Sequence, residues 1–147
     1  MTTTANRAKR CHECGVGKII GVARSGRFMR YKTLPRLEIP EGIVIPTCDN
    51  CGAEWVDDAT ARVINEALDA SYRQELRRRV RVAIDVIGEH IPQRRLEELL
   101  GLSQGYLSKL KAGDRDPSPE LVSDLALIAR DPKSRVGELE DYWAEAV

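Results

Sequence analysis

Two cysteine turns constrain this chain more than anything else in it: CHECG from Cys11 and CDNCG from Cys48, separated by 33 residues. A CxxC turn points two thiolates at one centre, and a glycine behind it (Gly15, Gly52) lets the backbone wind tightly around the sulfurs. Two such turns make a closed four-thiolate site, which is structural because no coordination position stays open. One structural Zn2+ per chain on Cys11, Cys14, Cys48 and Cys51 is therefore expected. His12 lies inside the first turn and faces outward by spacing, so it reads as a bystander.

Other uses of four cysteines fit less well. Disulfides belong to oxidising compartments, and the opening MTTTANRAKR is polar and basic with no apolar core behind it, unlike a signal peptide. A redox CxxC occurs as one pair in a βαβ setting, not as two pairs. No apolar run approaches the ~20 residues that span a bilayer. The expectation is a cytoplasmic protein without membrane contact.

Between the cysteine pairs, KIIGV, RFMRYKTL and GIVI read as short strands, and Pro35, Pro40 and Pro46 forbid a long helix. A small sheet clamped by metal, a zinc ribbon, fits this pattern. So little apolar surface cannot hold such a region together, and the metal supplies what is missing.

From Asp57 the character changes. Asp57 and Asp58 suit a helix start. Val63, Ile64, Leu68 and Tyr72 recur at helical spacing, followed by Leu76, Val80, Ile84 and Ile87. The pattern allows one continuous helix or two. Ile91-Pro92 interrupts it. Gln93–Leu100 then predicts a short helix, Gly101-Leu102 a turn, and Gln104–Lys111 a second helix with Ser103 as its N-cap and Gly113 as its end. Leu96, Leu100, Leu102, Leu107 and Leu110 are their shared apolar positions, the pattern of a helix-turn-helix. Ser118-Pro119 caps a further helix carrying Leu121, Val122, Leu125 and Ile128, stopped by Asp131-Pro132.

Residues 76–130, with IPQRRLEELLGLSQGYLSKLKAG and PSPELVSDLALIA, resemble the Xre/Cro-type repressor helix-turn-helix. With the double CxxCG ribbon in front, the chain resembles the MqsA (YgiT-type) antitoxin family over nearly its whole length. The resemblance implies a homodimeric repressor that binds a palindromic operator in its own promoter, and a zinc domain that contacts a toxin. Two residues depart from the helix-turn-helix pattern. Glu97 stands where alanine is usual, which allows splayed packing or a carboxylate reaching a nearby Lys or Arg. Lys111 stands where glutamate is usual.

The fold expected is α+β in two domains. Residues 1–10 form a loose tail, 11–70 a zinc ribbon with a closing helix, and 71–147 an all-α helix-turn-helix domain for DNA binding and dimerisation. The second helix of such a motif enters the major groove by its N-terminal end, so Gln104, Tyr106, Ser108 and Lys109 are candidate base contacts. Gln pairs with adenine and Lys reaches guanine. MqsA-type relatives carry asparagine at the Gly105 position and arginine at the Lys109 position, so a different operator is expected here. Gln93, Arg94, Arg95, Lys111 and Arg115 are candidate phosphate contacts.

The chain holds 23 basic and 23 acidic residues, yet residues 1–47 carry nine Lys/Arg against three Asp/Glu. The run Arg73–Arg81 carries five against one. Phosphates meet the local field, because distant charge is screened within ~8–10 Å. Neutrality overall thus leaves DNA binding open. In SRVGELEDYWAEAV, Val136, Leu139, Trp143 and Ala146 fall on one helical stripe with Tyr142 beside it, which fits either core or a dimer contact.

Two other functions compete with an autoregulating antitoxin. One is a stand-alone regulator whose ribbon binds protein or nucleic acid. The other is a zinc or thiol enzyme, for which the chain offers no nucleophile–base pair, and its two histidines, His12 and His90, lie in unrelated places.

Overall fold

The computed structural model describes residues 9–145; residues 1–8 of the expected tail, and Ala146 of the C-terminal stripe, lie outside the described residues. The chain divides into two compact units between Ser71 and Tyr72. The first is a small β region closed by a helix, and the second is all helix.

In the first unit, β1 (Ile19–Ala23) pairs antiparallel with β4 (Val44–Cys48), Ile19 opposite Cys48. A second ribbon is made of β2 (Phe28–Tyr31) and β3 (Leu34–Glu38). RFMRYKTL is thus not one strand but β2, the turn and the first residue of β3. The chain reverses at Lys32, whose φ of 49° is the one positive value among the described non-glycine residues. Pro35 hid β3 from the sequence pattern, because proline argues against a strand. A two-stranded ribbon leaves each strand one unpaired edge, where a missing N–H does no harm.

Helix α1 (Asp58–Gly88) is one element of 31 residues and runs through the division between the units. Asp57 starts it by accepting the Thr60 N–H at 2.7 Å. That bond, first among several, holds the Asp57 carboxyl below its ordinary value. Ile64 and Leu68, one turn apart, pack with Ile39 and Ile45 into the core of the first unit. Val63, expected on the same stripe, lies one step round the helix and is 49% exposed.

The same unit buries a cation. Arg27 is 5% exposed, donates from Nε to Glu54 Oε1 at 2.8 Å, and reaches the Val22 and Ile43 carbonyls from Nη1. Desolvation pushes the Glu54 carboxyl up, but its bonds to Arg27 and Arg24 outweigh this and leave it below the usual range.

In the second unit the later part of α1 buries Leu76, Val80, Ile84 and Ile87. Four short helices follow: α2 (Gln93–Leu99), α3 (Tyr106–Ala112), α4 (Pro119–Arg130) and α5 (Pro132–Ala144). Ser118 Oγ caps α4 by accepting the Leu121 N–H, and Asp131 both ends α4 and caps α5 by accepting the Ser134 N–H. Leu107, Leu110 and Leu125 are fully enclosed, while Leu121 is only half-buried. Among the described residues no helix is long and apolar enough to cross a membrane.

Removing the partner of a buried charge costs more than the pair itself contributes. Glu54→Ala is expected to destabilise the first unit by about 2 kcal/mol or more, and Arg27→Met by clearly less, in chemical denaturation. Equal losses would show that removing Glu54 leaves no uncompensated buried charge on Arg27.

Candidate metal centre and nucleic-acid interface

The fold brings the two cysteine turns face to face. Cys11 and Cys14 precede β1, Cys48 closes β4, and the β1–β4 register carries both to one end of that sheet. The four Sγ atoms all lie within 4.8 Å of one another. Cys11 Sγ is 3.7 Å from Cys51 Sγ, and Cys14 Sγ is 3.7 Å from Cys48 Sγ. Sulfurs at the corners of a tetrahedron with metal–sulfur bonds of about 2.3 Å sit about 3.8 Å apart. The residues present therefore fit a tetrahedral, thiolate-bound ion. His12 is exposed and outside the cluster.

Backbone N–H groups aim at the sulfurs. Cys14 N–H donates to Cys11 Sγ, Gly17 N–H to Cys14 Sγ, and both Asn50 and Cys51 N–H to Cys48 Sγ, each at 3.4 Å. These donors stabilise negative sulfur. Gly17, Val16 and the Asn50 side chain lower the Cys14 thiol to about 6. The Ala53 N–H pulls the Cys51 thiol down, but desolvation and the sulfurs of Cys48, Cys11 and Cys14 outweigh it and hold it up at about 12. Thiols this close cannot all ionise by themselves, and a divalent cation makes the fully ionised set favourable.

Gly15 and Gly52, read from sequence as turn residues, take φ of 69° and 74°. Gly17 was missed, and its role is different. A Cβ there would collide with Cys48 Sγ and approach Asn50 Cβ to 2.8 Å. The two turns close only because this residue has no side chain. No local pattern signals it, since the clash comes from 31 residues further along the chain.

The helix-turn-helix begins with α2, which ends at Gly101 in the left-handed region, φ 66°, with the Leu102 N–H bonded to the Glu97 carbonyl at 2.8 Å. Ser103 is not the N-cap of the next helix. The chain turns through Ser103–Gly105, Gly105 takes φ 82°, and α3 starts at Tyr106 with no side-chain cap from its own N-cap residue. Among the described residues Glu97 reaches neither Lys nor Arg. It is 3% exposed, and its Oε2 accepts the Leu107 N–H at 3.0 Å.

On α3, Leu107 and Leu110 face the core, and Ser108 and Lys109 face outward. Gln104 is exposed just ahead of the helix, and Tyr106 is half-buried. Gln93 Nε2 donates to Ser108 Oγ at 2.6 Å, joining one candidate phosphate contact to one candidate base contact. Three of the basic residues around them are paired. Arg95 bonds Glu98 and Glu140, Arg94 lies 3.7 Å from Glu98, and Lys111 Nζ is 2.6 Å from Asp85. Arg115 is exposed. Within the Arg73–Arg81 run, Arg78 and Arg79 both bond Glu75, pulling its carboxyl down to about 2, and Arg77 pairs with Asp116. Exposed pairs of this kind contribute at most about 1 kcal/mol, so a phosphate can displace their carboxylates.

The C-terminal stripe splits. Val136 is 5% exposed and belongs to the unit's own core, one of the two places its stripe allowed. Leu139 is half-buried and lines a shallow apolar groove with Leu100, Leu127 and Ile128. Tyr142 and Trp143 stay 63% and 65% exposed, edge to face at 5.1 Å. Trp143 Nε1 donates to the Leu99 carbonyl at 3.0 Å, tying α5 to α2.

Residues 89–128 match a family model described as helix-turn-helix, which covers α2, α3 and most of α4. No curated protein matches the chain. The second unit thus contains a helix-turn-helix of the DNA-binding, non-catalytic kind, and the first carries a four-cysteine cluster able to hold a metal ion.

Donors and steric fit around ligands commonly shift metal affinity by tenfold or more. Gly17→Ala is expected to weaken binding of a thiolate-preferring divalent ion about tenfold or more, in competition with a chromophoric chelator. Cys48→Ser abolishes it, and Gly42→Ala, where a Cβ meets open space, leaves it unchanged. An unaltered Gly17→Ala affinity would mean the turns adjust freely.

Proposed function

We propose that this chain is a sequence-specific transcriptional repressor that binds a palindromic operator as a homodimer, with one structural Zn2+ on Cys11, Cys14, Cys48 and Cys51. The observation that carries this reading is α3, a short helix whose Leu107 and Leu110 are enclosed while Gln104, Ser108 and Lys109 are presented to solvent at and just before its N-terminal end. That end is the one such motifs insert into the major groove. Gln104, Tyr106, Ser108 and Lys109 then face base edges. Gln93, Arg94, Arg95, Lys111 and Arg115 surround them with phosphate donors once their surface ion pairs exchange. Leu139, Tyr142 and Trp143 offer apolar surface for a two-fold contact that would set two recognition helices one DNA turn apart.

The donor set supports zinc. Four clustered cysteines suit a closed tetrahedral site, and the ion would supply folding energy to a ribbon with a small core. We further propose that the ribbon serves as the partner-binding half of an antitoxin. The order of ribbon and helix-turn-helix supports this, as does the apolar surface at Val16, Phe28, Met29 and Val44. A second reading, in which the ribbon touches nucleic acid, is favoured by Arg36 stacked over Phe28 at 3.9 Å with Arg30 exposed nearby.

Fluorescence anisotropy on the chain's own upstream region and a scrambled duplex, at two salt concentrations, tests the DNA reading. Wild type should prefer the former about 10³-fold or more, with two chains per site. Lys109→Ala should weaken the specific duplex by about tenfold or more and leave the scrambled one nearly unchanged. Equal weakening of both would make Lys109 a phosphate contact only. The antitoxin reading predicts that the neighbouring gene arrests growth when expressed alone and that co-expression of this chain relieves it. No arrest would remove that reading and leave the regulator.

A further inference from the structure

The first N–H groups of a helix lack partners within it, and an N-cap side chain normally accepts one of them from extended backbone. In α3 the N-cap position is Gly105, which has no side chain and sits at φ 82°. Two main-chain bonds shape this entry: Tyr106 N–H donates to the Ser103 carbonyl and Lys109 N–H to the Gly105 carbonyl. Neither serves the Leu107 N–H, whose residue is fully enclosed. Its acceptor is Glu97 Oε2, ten residues earlier on α2. The main-chain carbonyl of that same Glu97 accepts the Leu102 N–H that closes α2. One residue therefore fastens both ends of the turn.

We propose that Glu97 is the positioning residue of the DNA-reading helix: its buried carboxylate replaces the cap that Gly105 lacks and so sets how α3 presents Gln104, Ser108 and Lys109. This rests on the reading of α3 as the helix that enters the groove. A carboxylate only 3% exposed is costly unless hydrogen-bonded. The partial positive charge at the start of α3 and the Leu107 N–H offset that cost. With the carboxylate gone, the buried N–H loses its partner, and α3 keeps its core leucines without a fixed entry. Glutamine keeps an oxygen acceptor of the same reach, so it restores the position without the charge.

Full-length wild type, Glu97→Ala and Glu97→Gln separate positioning from mere stability. Two quantities are read: Leu107 amide exchange by 15N NMR, and affinity for the tightest duplex selected from a random pool against a scrambled one. In Glu97→Ala, Leu107 exchange should accelerate and the preference for the selected duplex should fall about tenfold. Scrambled-duplex affinity and its salt dependence should stay as in wild type, because the phosphate-facing charges are untouched. Glu97→Gln should return both readings to near wild type.

A parallel fall on both duplexes, or a full preference retained by Glu97→Ala, would overturn the proposal. If wild type prefers no duplex, the operator reading fails by itself, and the exchange data then decide the capping role: Leu107 protection independent of Glu97 overturns it, and dependence that glutamine rescues sustains it.

Discussion

Both cores draw on one helix. Ile64 and Leu68 of α1 complete the core of the first unit, and Leu76, Val80, Ile84 and Ile87 of the same helix line the core of the second. A helix so polar over most of its surface takes its stability from those two apolar stripes rather than from its own turns. Between them Tyr72 is buried as well, so the apolar spacing never lapses where the units divide. Each core thus has one wall supplied by its own stretch of α1.

Each unit then closes its own polar problem locally. In the ribbon the burden falls on sulfur: four thiols share a small volume, and N–H groups of the two turns are spent on them instead of on sheet pairing. In the helical unit it falls on helix ends. Ser118 and Asp131 cap α4 and α5 from adjacent positions, while α3 takes its acceptor from α2. Charge is handled in the same way. Most basic residues near α3 carry an acidic partner on the surface. The chain is thus neutral overall and still holds exchangeable cations beside an outward-facing helix.

Much of the architecture is legible in local pattern. The CxxCG turns point to a four-sulfur site, and the 3.6-residue spacing of leucines marks α2, α3 and α4 to within a residue or two. Errors occur where a local signal meets a non-local fact. Ser103 looks like an N-cap, but a left-handed Gly105 moves the helix start past it. The strand pattern reaches only to Leu34, but β3 runs on through Pro35 to Glu38 because the ribbon has a free edge to spare.

The sequence by itself determined the chemistry of the four-cysteine cluster, the order of β and α regions and the apolar faces of the helices. Thiolate spacing and helical periodicity act within a few residues, so no knowledge of the fold is needed to read them. Only the tertiary structure decided that Gly17 must be bare to admit Cys48, that Arg27 is buried against Glu54, and that Glu97 caps α3. Each joins groups 10 to 31 residues apart. Which of many acceptors a buried donor meets at that separation depends on how the chain folds back, and no pattern along it encodes that meeting.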